Sequence, residues 1–409
     1  MHRELVEDRK WVDEAGFLHA LNICMLLPGP EAQQLATYIG WRLNGVAGGL
    51  IAGALFILPG FLAILLLSWV YVTLGMVPWV EALFFGLRAA VIALIAQALV
   101  HMGSRLLGNR LLCAVASLAF IAIFIFAIPF PLVIMAAAAM GYAASRAGSN
   151  AFAGNVGHGS QAIDISVPSP SARRAFRTGI LFLALWLVPV ALITAVLGPD
   201  HVFAQLAMFF SKLAVLTFGG AYAVLAWVAQ AAVDQFGWLK PGEMLDGLGL
   251  AETTPGPLIL VLQFVGFIAA YRDPGLLHPL LAGGLGAILT VWVTFMPCFA
   301  WIFLCAPYSE KLRANRELSA ALVAVTAAVV GVIANLALWF ALHNLFEDHQ
   351  PSTLPGTAFE WPVLASANWP AILLSLAALI AALRFRLGLL PLLAGSAITG
   401  LLLAGAGIT

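Results

Sequence analysis

Long apolar stretches recur along the whole chain and constrain its fold more than any other feature. A helix needs about 20 apolar residues to cross a bilayer, and roughly ten stretches of about this length fit the 409 residues. Charged residues make up only 9% of the chain, whereas a soluble domain carries about 25%. We therefore predict an all-α, polytopic transmembrane helical bundle. The predicted spans cover 46–72, 80–101, 111–128, 130–145, 179–197, 202–217, 277–305, 318–343, 371–383 and 388–406.

Charge and cysteine content argue against several classes of function. The formal net charge is zero, so nothing favours nucleic acid as a partner. The four cysteines lie in apolar segments without a C-x-x-C pair, which argues against disulfides and a zinc site. We expect no cofactor and no metal. The charged segment 1–11 has no apolar core with a cleavage site, so it is not interpreted as a signal peptide.

A segment rich in Gly, Ser, Ala and Pro separates two halves of the chain. Residues 146–178 contain four arginines and a single acid, Asp164, so the positive-inside rule predicts a cytoplasmic linker. The acidic loop 346–370 has no Lys or Arg and suits the outside. The predicted domains are therefore a first transmembrane repeat at 1–145, the linker, and a second repeat at 179–409.

Two copies of a Pro-Gly-Pro motif indicate that the halves are related. A tryptophan precedes each motif by the same 17 residues. A glycine-containing apolar segment, a Gly-Gly pair and a span with an internal proline then follow in the same order. Such an ordered series is more specific than one motif, so we predict two homologous repeats. The matched residues are Trp11 with Pro28, Gly29 and Pro30, and Trp238 with Pro255, Gly256 and Pro257.

Loop charges predict that the two repeats have opposite orientations. With the linker inside, counting spans backward puts Arg42 inside, after the first Pro-Gly-Pro segment. Counting back from the acidic loop puts 271–276, after the second such segment, outside. Inverted repeats with interrupted helices are typical of transporters. A parallel arrangement would follow if one short span were miscounted.

Each Pro-Gly-Pro motif is interpreted as a break between two short helices at membrane depth. The first proline ends a helix, the glycine allows a tight turn, and the last proline suits the first position of the next helix. The pieces flanking the first motif, 15–27 and 31–43, are too short to span comfortably. Such backbone must be buried in protein or line an aqueous cavity, and the helix N-terminus that follows favours an anion. A surface loop between short helices is the alternative.

Polar residues near the breaks are the candidate anion ligands, together with a Gly-Gly segment that could form a backbone nest. Hydroxyls and amides can donate to an oxyanion, whereas ionised carboxylates cannot. Two carboxylates are therefore assigned to proton coupling, with helix capping as the alternative, and two basic residues could attract an anion or snorkel to the headgroups. The predicted anion path contains Asn22, Pro28, Gly29, Pro30, Gln33, Gln34, Phe218, Gly219, Gly220, Thr253, Thr254, Pro255, Gly256, Pro257 and Gln263; the coupling carboxylates are Glu31 and Glu252, and the basic candidates are Arg88 and Lys212.

The repeat also predicts that the first half lacks its opening element. In the second half, Phe218 begins an F-G-G segment 20 residues before Trp238. The corresponding point, 20 residues before Trp11, falls ahead of residue 1. We therefore expect that a complete first repeat would begin with another F-G-G segment.

The segments around both motifs resemble the chromate ion transporter family in its long, two-domain form. The resemblance rests on LLPGPEAQQLATYIGWRLNGVAGGLIAGALFILPG at 26–60, TFGGAY at 217–222, FGWLKPGEMLDGLGLAETTPGPL at 236–258 and LQFVGFIAAY at 262–271. It implies chromate efflux that confers chromate resistance, with coupling to protons or to the membrane potential. It also implies a multi-pass protein of the bacterial inner membrane with two domains of opposite orientation. Family members usually begin with the F-G-G element that is absent here.

Oxyanion efflux is therefore the predicted function, with chromate as the substrate and the lipid bilayer as the surroundings. Sulfate has the charge and tetrahedral shape of chromate, so a carrier of sulfate or another tetrahedral oxyanion is the alternative. An intramembrane enzyme is less favoured, because the sequence has no G-x-S-x-G, no H-E-x-x-H and no aspartate-rich metal motif. Assembly into a homo-oligomer is left open.

Overall fold

Helices form nearly all of the described chain, at the positions where the apolar stretches predict them. The structure is a computed structural model that describes residues 1–75, 77–149, 152, 172–218, 220–305, 315–351 and 359–407. Every predicted span overlaps a helix, which confirms the all-α fold class. The helices are α1 (Glu14–Leu26), α2 (Glu31–Leu74), α3 (Pro78–Leu106), α4 (Arg110–Phe124), α5 (Phe130–Arg146), α6 (Ala172–Leu197), α7 (Val202–Leu216), α8 (Ala221–Gln230), α9 (Pro241–Thr253), α10 (Val261–Arg272), α11 (Pro279–Cys305), α12 (Arg316–Leu345), α13 (Trp369–Leu383) and α14 (Leu389–Gly405).

Short irregular elements complete the described secondary structure. Strands β1 (His349–Pro351) and β2 (Glu360–Pro362) pair antiparallel within the acidic loop, where the sequence analysis predicted no strand. Single turns of π-helix lie at Arg3–Asp8 and Ala231–Gln235, and 3-10 turns lie at Leu258–Leu260 and Leu364–Ser366. These elements connect the helices without altering the fold class.

The long helices identify the chain as a multi-pass membrane protein. In the described residues, five helices are long and apolar enough to cross a bilayer: α2, α3, α6, α11 and α12. Helix α6 exposes large apolar side chains, with Leu181 at 55%, Leu192 at 58% and Val196 at 77% exposure. Apolar surface of this extent is favourable against lipid and costly in water. The remaining predicted spans form helices of 15 to 17 residues, and their crossing of the bilayer stays a prediction.

The chain divides into two compact units, and each contains segments from both predicted repeats. The domain boundaries at 1–145 and 179–409 therefore describe sequence repeats and stay a prediction. Most of the predicted linker 146–178 lies outside the described residues, and α6 begins within it at Ala172. Unit 1 comprises Met1–Pro59, Ala138–Gly220 and Val291–Ala324; unit 2 comprises Gly60–Ala137, Ala221–Thr290 and Val325–Thr409.

Glycines bring backbone segments close together at several places in both units, and one such place in each unit involves a pair of glycines. In unit 1, a Cβ added to Gly48 would collide with the carbonyl oxygen of Gly40. In unit 2, a Cβ added to Gly286 would collide with the carbonyl oxygen of Gly266. Small residues allow such close approach, which is how helices pack where lipid surrounds them.

The positions of these glycines relative to the internal prolines show which residues of the two predicted repeats correspond. Gly48 lies 11 residues before Pro59, and Gly286 lies 11 residues before Pro297. The sequence analysis matched the pair Gly48-Gly49 with the pair Gly283-Gly284 by their order along the chain, which would make Gly283 the counterpart of Gly48. The contacts show instead that Gly286 is the structural counterpart, because both glycines face the carbonyl oxygen of an earlier glycine.

Candidate functional site

The first Pro-Gly-Pro break lies in unit 1 between α1 and α2. Gly29 is buried, and its φ of +126° lies in the region that favours glycine. The N–H of Gly29 donates to the carbonyl of Thr217 at 2.8 Å, so this group is not available to an anion. Pro30 directly precedes the first residue of α2, and its carbonyl accepts the N–H of Gln34 at 3.1 Å. The prediction that Pro30 is the first helical residue is thus wrong by one position.

Helix α2 is interrupted soon after this break. Asn44 has φ −133° and ψ 26°, and Gly45 has φ +62° and ψ −156°, both outside the helical region. The first part of α2 therefore covers only 31–43, which confirms the short piece predicted from the sequence. Two breaks enclosing a short apolar helix match the interrupted helices of transporter sites.

The second break lies in unit 2 between α9 and α10 and repeats the geometry of the first. Gly256 has a φ of +137°, close to the value at Gly29. Pro257 is extended, with φ −73° and ψ 134°, and caps the 3-10 turn that leads into α10. The prediction that Pro257 is the first helical residue is therefore wrong, because its ψ lies outside the helical range and it caps the turn instead. Pro255 and Gly256 are exposed, whereas Gly29 is buried.

Each break packs against the proline-bearing helix of the opposite repeat. A Cβ on Gly29 would lie 2.7 Å from the Sγ of Cys298, which directly follows the internal proline of α11. A Cβ on Gly256 would lie 3.3 Å from the Cα of Gly60, which directly follows the internal proline of α2. The two contacts are equivalent positions of the repeat. This reciprocal packing is the main geometric support for a duplicated site.

Three predicted amide ligands are fully buried and bonded to the protein. Their side-chain oxygens have no hydrogen-bond partner within the described residues. Such oxygens accept hydrogen bonds, so they suit water or a protonated oxyanion better than a fully ionised one. The amide nitrogens donate from Gln33 to the hydroxyl of Thr37 (3.0 Å), from Gln34 to the carbonyl of Pro28 (2.7 Å), and from Gln263 to the carbonyl of Phe61 (2.9 Å).

The two predicted coupling carboxylates have different surroundings. Glu31 is half-buried in the first turn of α2, the position where a carboxylate complements the helix dipole. Glu252 is half-buried near the end of α9 and accepts a 2.5 Å hydrogen bond from the hydroxyl of Tyr222. The sequence analysis missed Tyr222, because no spacing rule connects residues on two different helices.

Arg88, one of the two basic candidates, is bound to a carboxylate in unit 2. Its Nε donates to Oδ1 of Asp246 at 2.7 Å, and its Nη2 donates to Oδ2 at 2.8 Å. The hydroxyl of Tyr71 donates to the same Oδ2 at 2.9 Å. Asp246 is only 1% exposed, so the positive charge of Arg88 is compensated inside the unit. A Cβ on Gly242 would lie 3.0 Å from the Cζ of Arg88, so the helix backbone covers the guanidinium.

The other candidates lie at or near the breaks without forming one cluster. The hydroxyls of Thr253 and Thr254 donate to backbone carbonyls of α9, at 2.8 and 3.0 Å. Lys212 is exposed on α7, which suits contact with headgroups. Asn22 on α1, and Phe218 and Gly220 after α7, are half-buried, and Gly219 lies outside the described residues.

A resident metal has no obvious ligand set in the described part of the chain. No group of three or more His, Cys, Asp or Glu side chains there could hold a metal ion. The free cysteines, Cys24, Cys113, Cys298 and Cys305, form no disulfide among the described residues. The polar groups described at the breaks are helix termini, amides, hydroxyls and carboxylates.

These features define a class of protein: a multi-pass helical membrane protein with a Pro-Gly-Pro break in each compact unit and polar groups near both breaks. Comparison with known proteins identifies the family. The sequence profile described as "Chromate transporter" matches residues 1–142 and 204–401. The chain therefore belongs to the chromate transporter family, which confirms the resemblance drawn from the motifs.

Three similar proteins agree with this membership. A "Chromate transport protein" of Pseudomonas aeruginosa is 33% identical over 343 residues, covering 81% of this chain and 73% of that protein. A "Probable chromate transport protein" of Synechococcus elongatus is 29% identical, covering 85% of this chain and 80% of that protein. A "Chromate transport protein" of Cupriavidus metallidurans is 28% identical, covering 85% and 78%. No solved structure matches this chain.

Proposed function

We propose that this protein is a carrier that exports chromate across a bacterial inner membrane. The observation that carries the proposal is the duplicated break, in which a glycine with φ above +120° packs against the proline-bearing helix of the other repeat. The printed names of the relatives support chromate as the substrate class. Outward direction and active transport are our own inference from the family resemblance.

In this proposal, helix N-termini, instead of a buried cation, attract the anion, and the amide oxygens of Gln33, Gln34 and Gln263 accept hydrogen bonds from its protonated form or from water. Helices α2 and α10 both begin just after a break, and the N-terminus of a helix carries a partial positive charge. Arg88 is already bound to Asp246, so it acts as a structural pair. A weakly held anion can leave the site again, which a transporter requires and a tight binding protein does not.

Glu252 is the proposed proton-coupling group, and Tyr222 orients it. The carboxylate lies three residues before Pro255, and the Tyr222 hydroxyl donates to it. Taking up a proton would remove a negative charge beside the break and favour an incoming anion. Glu31 remains a second coupling candidate, although its place in the first turn of α2 also suits a cap.

Sulfate transport is the alternative within the same class, because chromate and sulfate share charge and shape. The chemistry described at the breaks depends on negative charge and hydrogen-bond acceptance, which both ions offer. We propose a transport role without catalysis, supported by the printed names of the relatives. A lipid bilayer surrounds the protein in this proposal.

Everted membrane vesicles provide the test of direction and coupling. An exporter should accumulate labelled chromate in everted vesicles when a proton gradient or a membrane potential is imposed. Uptake equal to that of vesicles without the protein, under both conditions, would refute chromate export. Competition by sulfate and molybdate measures selectivity, and stronger transport of sulfate would favour the alternative.

Substituting Glu252→Gln tests the coupling assignment separately. The variant keeps the size of the side chain and an oxygen for Tyr222, so the fold should be retained. We expect chromate transport to lose its dependence on the pH gradient. Glu347→Gln, an exposed carboxylate of the acidic loop, is the matched control. Unchanged pH dependence in Glu252→Gln would exclude Glu252 as the coupling group.

A further inference from the structure

Unit 2 contains a cavity of about 470 Å³ apart from the breaks. Ligand sites of proteins commonly enclose about 300–1,000 Å³, so the space suits a small organic molecule and far exceeds a bare ion. The lining comes from α4, α5, α8 and α12, from the segment between α4 and α5, from the π-helical turn Ala231–Gln235, and from β2 with the residue before it. The lining includes Phe124, Phe130, Trp227, Asp234, Asn335 and Glu360.

Aromatic rings form much of the cavity wall. Phe130 stacks on Trp227 with centroids 5.5 Å apart, and Phe124 lies 5.3 Å from Phe359. Trp339 also lines the cavity, with its ring 4.3 Å from that of His343. The faces of aromatic rings attract cations, and substituted ammonium ions are their usual organic ligands.

The charges at the cavity are acidic. Asp234 and Glu360 line it, and both are partly exposed to solvent, which puts them at its rim. Within the described residues, the lining contains no Lys or Arg. A rim with two carboxylates repels anions such as chromate and attracts a positively charged group.

A buried polar side chain lies in the lining without a partner. Asn335 is 1% exposed, and neither its Nδ2 nor its Oδ1 has a hydrogen-bond partner among the described residues. A buried amide without partners is costly unless water or a ligand satisfies it. Asn335 offers one acceptor and two donors, which match a hydroxyl group.

We propose that this cavity binds an organic ammonium ion that also carries a hydroxyl group. The ammonium group lies at the carboxylates of Asp234 and Glu360, the alkyl groups contact the aromatic wall, and the hydroxyl reaches Asn335. Choline has this combination of groups and is the probe. The site is independent of the oxyanion chemistry proposed for the breaks, so either assignment can fail without the other.

Isothermal titration calorimetry on the purified full chain, in a detergent and buffer free of amines, tests the proposal. Choline is compared with 3,3-dimethylbutan-1-ol, in which carbon replaces the charged nitrogen. We expect choline to bind at least about tenfold more tightly, because only the ion gains from the carboxylates and ring faces. Equal affinities would overturn the proposal and identify an ordinary apolar pocket. The absence of saturable choline binding would overturn it as well.

Substitutions test the contacts of the ammonium group and of the hydroxyl group separately. Glu360→Gln and Asp234→Asn should each weaken choline binding by about three- to tenfold and leave the neutral alcohol unchanged. Glu347→Gln, in the same loop but outside the lining, is the matched control. Asn335→Leu should lower the affinity for choline towards that for tetramethylammonium, which lacks the hydroxyl. Equal choline affinity in Glu360→Gln, Asp234→Asn and the control would overturn the carboxylate assignment.

Two further titrations identify the source of the cation. Glycerophosphocholine presents the headgroup of a choline lipid in soluble form, and tighter binding than choline would support a lipid headgroup as the natural occupant. Tighter binding of free choline would support a soluble metabolite. Displacement of choline by millimolar sodium or potassium chloride, with no effect of a large inert cation of equal ionic strength, would overturn the organic assignment in favour of an inorganic ion.

Discussion

Gly29→Ala is the substitution whose effect follows most directly from the geometry of the first break. The backbone at Gly29 has φ +126°, which is strained for a residue with a Cβ; such strain costs about 1–3 kcal/mol. The new Cβ would also lie 2.7 Å from Cys298 Sγ and 2.8 Å from Gln34 Nε2. Overpacking of this kind costs a further 1–3 kcal/mol or so. The expected loss is therefore about 2–6 kcal/mol, a large part of a typical folding free energy of about 5–15 kcal/mol.

Thermal unfolding of the purified protein in detergent measures this loss, with two glycine controls. Gly45 has φ +62° and no atom within 4 Å of an added Cβ, so Gly45→Ala reports backbone strain alone. Gly284 is helical, and its added Cβ would also meet nothing within 4 Å, so Gly284→Ala should be close to neutral. We expect Gly29→Ala to lower the unfolding temperature more than Gly45→Ala does. Adding Cys298→Ala should recover part of the difference, because the Sγ contact is removed.

Two outcomes would contradict this reasoning. If Gly29→Ala lowers the unfolding temperature no more than Gly45→Ala does, the close packing around Gly29 does not contribute to the loss of stability. If Cys298→Ala fails to restore any stability in the double variant, the contact between the first break and α11 is not the cause of the loss. Either result would also weaken the inference of a duplicated site, which rests on the equivalent contact at Gly256 and Gly60.

Two other predictions concern unit 2. Asp246→Ala should lower stability by about 3–5 kcal/mol, because it leaves the half-buried guanidinium of Arg88 uncompensated. Thermal unfolding should show most of that loss recovered by adding Arg88→Met, and no recovery would contradict the pairing. Burial, followed by the negative charge of Glu360, raises the pKa of Asp234, outside the spanning helices, from its usual 3.8 to about 6. The native state therefore holds this proton more tightly, so stability should decline as pH rises from about 4 to above 6, and Asp234→Asn should abolish that decline.

The helices and the breaks could be predicted from the sequence because their causes are local. Long apolar stretches form the helices, and proline and glycine interrupt them within a few residues of Gly29 and Gly256. The Arg88–Asp246 pair and the Tyr222–Glu252 hydrogen bond join residues far apart in the sequence, 158 and 30 positions respectively. No periodicity relates such positions, so their partners required the folded structure.

The sequence could not predict that each break packs against a helix of the other repeat. The duplication predicted two similar halves, and it did not specify which half each break packs against. The contacts of Gly29 with Cys298 and of Gly256 with Gly60 join opposite halves. Packing within one half would have the same internal repeat, so motif spacing could not distinguish the two arrangements. The sequence analysis did not match Gly48 with Gly286, because the neighbouring pair Gly283-Gly284 fits the same order of motifs.

The reciprocal contacts have a consequence for genetics. A defect at one break is expected to be relieved by second-site suppressors that map to the opposite half of the gene. For a bulky substitution at Gly29, the suppressors should shorten Cys298 or its neighbours, whereas those for Gly256 should fall near Gly60. Recombination that exchanges one half with a distant relative would separate residues that have adapted to each other across the linker. The two halves of this gene are therefore constrained to diverge together.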